Sequence, residues 1–210
     1  MTSQTKVVGV ILAGGRAQRM NFKNKALMHY QGQPLIAYSF FAMRALVDDV
    51  VINTHSDNAL YHTWGAGVIA DATTDFSGPL AGVLAVMNAI DADTLMVAPC
   101  DAPFITTEQF NRLLREHKAS QADITVACCG EQIHSVFMVL NTALKTSLEH
   151  YLGRGERKVR RWFAEHQTHY VDFGVDARGF ENINTLQELH AIALPPHENP
   201  VIECHLPTLS

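Results

Sequence analysis

Hydrophobic residues fall along this chain in short runs separated by polar or glycine-rich joints, and the period of each run assigns an element. Val7-Val8-Gly9-Val10-Ile11-Leu12 holds no polar side chain, as expected of a strand covered on both faces of a parallel sheet. Gly14-Gly15 ends it. From Pro34, read as a first helical position, Leu35, Tyr38, Phe41 or Ala42, and Ala45 recur at helical spacing. Asp49-Val50-Val51-Ile52 reads as a second strand leading into Asn53, and Gly67 to Ala70 as a third that ends on Asp71. Ser77 or Gly78 then caps a helix with Pro79 at its first position and Leu80, Val83, Leu84 and Met87 on one face. Thr94 to Ala98 is a fourth strand, followed by the stiff loop Pro99-Cys100-Asp101-Ala102-Pro103. Thr106 and Gln109 form a capping box for a helix over 107–117.

This alternation predicts right-handed crossovers and a three-layer α/β/α sandwich around a Rossmann-like, mostly parallel sheet. Asp123 to Cys129 and Ile133 to Leu140, with only Gly130-Glu131-Gln132 between them, read as a hairpin, so the sheet becomes mixed. Helices are expected over 142–151 and 156–166, a strand over 168–173, and a final helix from Thr185 with Glu188 as its box partner. One domain over 1–194 with an aperiodic tail over 195–210 is the expected organisation.

Composition narrows the function. A chain of 210 residues, 47% hydrophobic and 18% charged, buries a core without staples. The net charge of −5 argues against coating nucleic acid, so any basic function is local. The polar first residues and the brief apolar run after them lack the form of a signal peptide, and no run approaches a membrane span. A cytoplasmic protein without membrane or nucleic-acid partners is expected. Cys100, Cys128, Cys129 and Cys204 make no CxxC pair, and vicinal Cys128-Cys129 reads as strand packing. His166 and His169 have metal-like spacing but lack partners.

Candidate chemistry concentrates at strand ends. Gly14-Gly15, Asn53, Asp71 and Asp101 each follow an apolar run, and in an open parallel sheet those ends line one crevice. Glycine amides there approach a ligand closely, and Arg16, Arg19 and Lys25 supply net charge against a polyphosphate. Neither GxxxxGK[ST] nor GxGxxG is present. Gly78 and Gly82 either bare the start of their helix to a ligand or let it pack closely on the sheet. Asp101, held between two prolines, is the residue to place on a metal, because Mg²⁺ uses one or two carboxylates together with phosphate oxygens.

Leu12-Ala13-Gly14-Gly15 with Arg19-Met20 and Lys25, then Gly78-Pro79-Leu80-Ala81-Gly82, then Pro99 to Pro103, resemble the molybdenum cofactor guanylyltransferases. The likeness runs from about residue 7 to 192 and includes Glu181-Asn182-Ile183-Asn184-Thr185. It implies a sheet of the nucleotide-diphospho-sugar-transferase type and transfer of GMP from GTP to the terminal phosphate of Mo-molybdopterin, with Mg²⁺ as cofactor. Leu12, Ala13, Gly14, Gly15, Lys25 and Gly78 would bind GTP, Asn53 and Asp71 would contact its guanosine end, and Asn182 and Asn184 would complete the binding set. Asp101 would hold the metal and, with Lys25 and Arg19, serve catalysis. A related transferase using CTP or a sugar or polyol phosphate, and a non-catalytic cofactor-delivery protein, are the alternatives. The chain departs from the family pattern at Asn24, where Asp is usual, and at Ser135, where Pro usually follows the histidine.

Arg154, Arg157, Lys158, Arg160 and Arg161 form a basic cluster beside Gly153-x-Gly155. On one helix, Arg154, Lys158 and Arg161 would share a face opposite Val159, Trp162 and Phe163. That face is either solvated, a site for the pterin phosphate, or a transient docking surface for a molybdenum-cofactor carrier or acceptor enzyme.

Overall fold

The computed structural model describes residues 5–14, 25–55, 59–70 and 78–183. Its elements are β1 (Val7–Leu12), a 3₁₀ turn (Lys25–Leu27), β2 (His29–Tyr30), β3 (Gln33–Pro34), α1 (Leu35–Arg44), β4 (Asp49–Asn53), α2 (Ala59–Thr63) and β5 (Gly67–Ile69). There follow α3 (Pro79–Ala89), β6 (Thr94–Pro99), α4 (Thr107–Ser120), β7 (Ile124–Cys129), β8 (Gln132–Asn141), α5 (Lys145–Gly153), α6 (Val159–Phe163), β9 (Thr168–Asp172) and a 3₁₀ segment (Gly174–Phe180).

Seven strands form one mixed sheet in the order β5-β4-β1-β6-β8-β7-β9. β5, β4, β1 and β6 run parallel, β8 runs against β6 and β7, and β9 runs parallel to β7. Because β1 is covered on both faces, its residues alternate between two cores. Ile11 joins Phe40, Met43, Phe110 and Leu113 under α1 and α4, whereas Val8 and Val10 join Leu80, Val83, Leu148 and Trp162 under α3, α5 and α6. Among the described residues no helix is long and apolar enough to cross a membrane.

Several expected elements form for the expected reasons. Thr106 accepts from the Gln109 N–H while the Gln109 side chain accepts from the Thr106 N–H, so the capping box is closed and α4 runs three residues beyond the predicted end. Gly78, with φ of 84°, is the cap of α3, and Pro79 occupies the first turn. Pro34 is not helical: its ψ of 142° makes it the N-cap of α1 and the last residue of β3. The helix expected over 142–151 divides into a 3₁₀ turn (Thr142–Leu144) and α5.

The helix expected over 156–166 is corrected more deeply. Only Val159–Phe163 is α-helical, and Gly155 at φ 80° turns the chain between α5 and α6. Trp162 and Phe163 are buried as the apolar periodicity requires, but Arg154 caps the preceding helix and shares no face with Arg161. Arg154 pairs with Glu165 at 3.1 Å, Arg161 with Glu156 at 3.6 Å, and Arg157 donates to the Leu152 and Glu156 carbonyls. Three of the five cations therefore have internal partners. The helix expected from Thr185 and the tail over 195–210 lie outside the described residues.

One buried polar network locks α4 to the sheet. Asn141 gives its amide N–H to the Ala122 carbonyl, so its Oδ1 accepts from His117 Nε2 at 3.1 Å, and His117 Nδ1 accepts from the Thr125 hydroxyl at 3.0 Å. Both ring nitrogens are satisfied by the neutral imidazole, and burial holds the His117 pKa below its ordinary 6.5 against the opposing pull of Asn141 and Asp123. The unfolded chain therefore binds a proton more readily than the folded one. Stability from this histidine is fully present above about pH 6.5 and is lost as pH falls through the lower folded value. A His117→Gln variant should lose about 1–3 kcal/mol at pH 7.5 yet show a shallower stability decline on acidification, read by urea unfolding at several pH values.

Candidate functional site

The parallel strands place their C-terminal residues in one row. Leu12 stands in register with Asn53 on one side and Pro99 on the other, and Asn53 with Ile69 beyond it. The ladder extends one step past the row, through Ala13 N–H to Asn53 O at 2.9 Å, Cys100 N–H to Leu12 O at 3.2 Å and Thr54 N–H to Ile69 O at 3.0 Å. β8 enters at this same edge, and β7 and β9 end at it, since β8 opposes β6 and β7 while β9 follows β7.

Lys25 and Asp101, 76 residues apart, form an ion pair at this edge, with side chains 16% and 13% exposed. The Asp101 loop is fixed from three directions. Ser39 Oγ donates to the Pro99 carbonyl at 2.9 Å, Cys100 is tied to Leu12, and the Ile183 N–H donates to the Asp101 carbonyl at 2.9 Å. Of the two Asp101 carboxylate oxygens Lys25 meets Oδ2; Oδ1 is buried and has no hydrogen-bond partner among the described residues. An orphaned carboxylate oxygen costs free energy unless a donor or cation meets it, so Asp101 fits a metal ligand. Among the described residues no group of three His, Cys, Asp or Glu gathers anywhere, so the donor set suits a hard cation that completes its shell with water and phosphate oxygens. Burial, reinforced by Asp101, pushes the Cys100 thiol up to about 12, so this sulfur stays protonated and is no nucleophile.

Gly78 and Gly82 separate into different roles. Among the described residues nothing lies within 4 Å of the place a Cβ would take on Gly78. At Gly82 a Cβ would stand 2.2 Å from Asn53 Oδ1 and 3.1 Å from Leu12. Gly82 is thus a close-packing residue rather than a bare one. It lets α3 settle on the buried Asn53 carboxamide, whose Nδ2 donates to Ile69 O at 3.2 Å.

Of the predicted site residues, Leu12, Ala13, Lys25, Asn53 and Asp101 come together at this edge, with Gly14 exposed next to them and Gly78 one turn beyond Gly82. Asn182 is brought alongside by the Ile183–Asp101 bond. Gly15, Arg16, Arg19, Asp71 and Asn184 lie outside the described residues. His134 enters at the same edge and stacks on Phe180 at 5.1 Å. Ser135 falls in a bulge: Ala127 pairs with His134 and Val126 with Met138, leaving Ser135, Val136 and Phe137 unpaired. A bulge is one of the few places in a sheet where proline also occurs. His166 and His169 part company, the first bonded to Ser147 and the second beside Glu116, and Cys128 and Cys129 are free thiols in β7. The packing of Tyr30, Phe104 and Arg178 beside Asp101 has no sequence signal, because the three share no local period.

The fold is the mixed sheet of the nucleotide-diphospho-sugar-transferase type, shared with solved nucleotidyltransferases. A family model described as the MobA-like NTP transferase domain matches residues 9–170, and the chain belongs to that family. It is 37% identical over 194 residues to a molybdenum cofactor guanylyltransferase of Shewanella baltica, covering 92% of this chain and 98% of the relative. The fold is shared with the molybdopterin-guanine dinucleotide biosynthesis protein A of Archaeoglobus fulgidus (TM-score 0.72, 20% identity, 87% of this chain and 95% of that one). It is shared also with a 4-diphosphocytidyl-2C-methyl-D-erythritol synthase of Anaerococcus prevotii (TM-score 0.69, 10% identity, 89% and 95%).

Replacing Gly82 with Ala should force Asn53 off Ile69 and cost about 1–3 kcal/mol, the range for overpacking a close contact. Denaturant midpoints of Gly82→Ala and of Gly82→Ala with Asn53→Ala measure this. In the double variant the clash is gone, so its loss should fall short of the sum of the single losses.

Proposed function

We propose that this protein transfers GMP from GTP to the terminal phosphate of Mo-molybdopterin, releasing pyrophosphate, in a Mg²⁺-dependent reaction in the cytoplasm. The observation that carries the reading is the Lys25–Asp101 pair with its unspent Asp101 oxygen, set beside Leu12 and Ala13 at the sheet edge. The likeness to guanylyltransferases over nearly the whole chain supports this choice of substrates.

An oxygen of the pterin phosphate attacks the α-phosphorus, the bond to the pyrophosphate oxygen breaks, and the electron pair leaves on pyrophosphate. The attacking phosphate is already anionic, so no side-chain base or covalent intermediate is needed. The protein's work is to align two polyanions and offset their charge. The Leu12 to Gly14 backbone, whose Ala13 N–H is already given to Asn53, lines the phosphates of GTP, the Lys25 ammonium holds them, and Arg19 adds a second cation. Asn53 and Asp71 hold the guanosine end. Asp101 and the phosphates would hold Mg²⁺, which when bound screens the charge gathered on the transferring phosphate. Exposed Lys158 and Arg160, which have no ion-pair partner among the described residues, offer a surface for transient docking of a carrier or acceptor enzyme.

Pyrophosphate release on mixing GTP, Mg²⁺ and molybdenum-charged molybdopterin tests the reaction. Asp101→Ala should cut the rate about a hundredfold or more, and undiminished Mg²⁺-dependent turnover would remove Asp101 from the metal. Thermal shifts with Mg²⁺ complexes of GTP, CTP, UTP and ATP test the nucleotide. GTP at about a hundred times its Kd should raise Tm by roughly 5–10 °C, and stabilisation by CTP alone would overturn guanylyl transfer.

A further inference from the structure

The segment that returns from β9 crosses the Asp101 loop and is fastened to it at two points. Ile183 N–H donates to the Asp101 carbonyl at 2.9 Å, and the Arg178 guanidinium lies over the Phe104 ring, 4.4 Å from its centroid. Phe104 is itself held, its ring meeting Tyr30 edge-on at 5.8 Å, and Ile183 packs with Tyr30 and Leu35 beneath. A guanidinium held over an aromatic face keeps its N–H groups for other partners, and its planar fork can grip a phosphate with two parallel bonds. Among the described residues no carboxylate pairs with Arg178. The Tyr30 hydroxyl, in a residue 6% exposed, is also buried and has no hydrogen-bond partner among the described residues. Burial raises its pKa while the Arg178 charge lowers it, which puts the two groups within electrostatic reach.

The strand order decides which substrate this cation meets. β9 and β5 close opposite ends of the sheet, so the returning segment reaches Asp101 from the side away from Asn53. With the nucleoside at Asn53, the side that Arg178 occupies belongs to the acceptor. We infer that Arg178, stacked on Phe104, binds the phosphate of the anionic acceptor and orients its attacking oxygen toward the nucleotide. This rests on the guanylyl-transfer reading and adds a residue to it.

Two readouts test the assignment. In the wild-type protein, molybdopterin should shield Arg178 from modification by phenylglyoxal, followed by peptide mass spectrometry, and GTP should not. In steady-state kinetics Arg178→Ala should raise the acceptor KM about tenfold or more and leave the GTP KM within about twofold, the loss expected of one charge-assisted contact. Arg178→Lys keeps the charge without the planar fork and should recover part of the loss. Equal shielding by GTP, no shielding by molybdopterin, or an acceptor KM that Arg178→Ala leaves unchanged overturns the proposal. Shielding is read without turnover. A wild type that releases no pyrophosphate therefore overturns the reaction alone, and Arg178 stands or falls on the shielding.

Discussion

The ion pair between Lys25 and Asp101 is the constraint to which this sheet edge answers. A carboxylate as enclosed as Asp101 needs partners for both oxygens, and the lysine beside it serves one while the other stays unmet among the described residues. A pair valued for stability alone would satisfy both, because a half-satisfied buried network is worse than an apolar one. The neighbouring architecture holds the unsatisfied oxygen in place. Prolines stiffen the loop on either side, Ser39 anchors it from α1, and Ile183 anchors it from the far end of the sheet. Elements distant in sequence thus spend backbone and side-chain hydrogen bonds on keeping one carboxylate oriented.

The same pair bears on the departure at Asn24. Lys25 opens its own 3₁₀ turn, closed by the Met28 N–H to the Lys25 carbonyl at 3.1 Å, with Ala26 buried in the α1–α4 core. The turn and Asp101 both hold the lysine through groups other than the preceding side chain. Ser135 is a parallel case, since the bulge at that position asks for no ladder N–H.

Much of the fold was legible in the sequence because its long elements obey one period each. β1, β4, β6 and the β7–β8 hairpin were readable from apolar runs and turn spacing, and α3 and α4 from their caps. The two-residue strands β2 and β3, the short α2 and the 3₁₀ segment at Gly174–Phe180 were not, because elements this short carry no period to detect. The basic cluster was misread for a physical reason: a helical projection assumes an unbroken helix, and Gly155 breaks this one. At the site, strand ends pointed to the edge where Leu12, Asn53 and Asp101 meet, but residue types alone did not say that Gly82 packs on Asn53. Nor did they bring Lys25 onto Asp101 across 76 residues, a meeting that only the crossover topology makes.

Placing the acceptor and the nucleotide on opposite sides of Asp101 also accounts for the different construction of the two sides. On the Asn53 side the groups are buried and rigid: a carboxamide pinned between Ile69 and a helix that only glycine lets so near. Such a surface suits a planar base, where one misplaced atom is felt as an unpaired polar group. On the Arg178 side the cation is exposed and rests on an aromatic platform, and the chain beneath it is a 3₁₀ segment rather than a strand. That surface suits a flexible phosphate arm, which needs charge and orientation more than a shaped pocket. The sheet separates these demands because its parallel half supplies the fixed row of strand ends. Its antiparallel half sends a loop back across the edge, and Asp101, after the last parallel strand, is where the two meet.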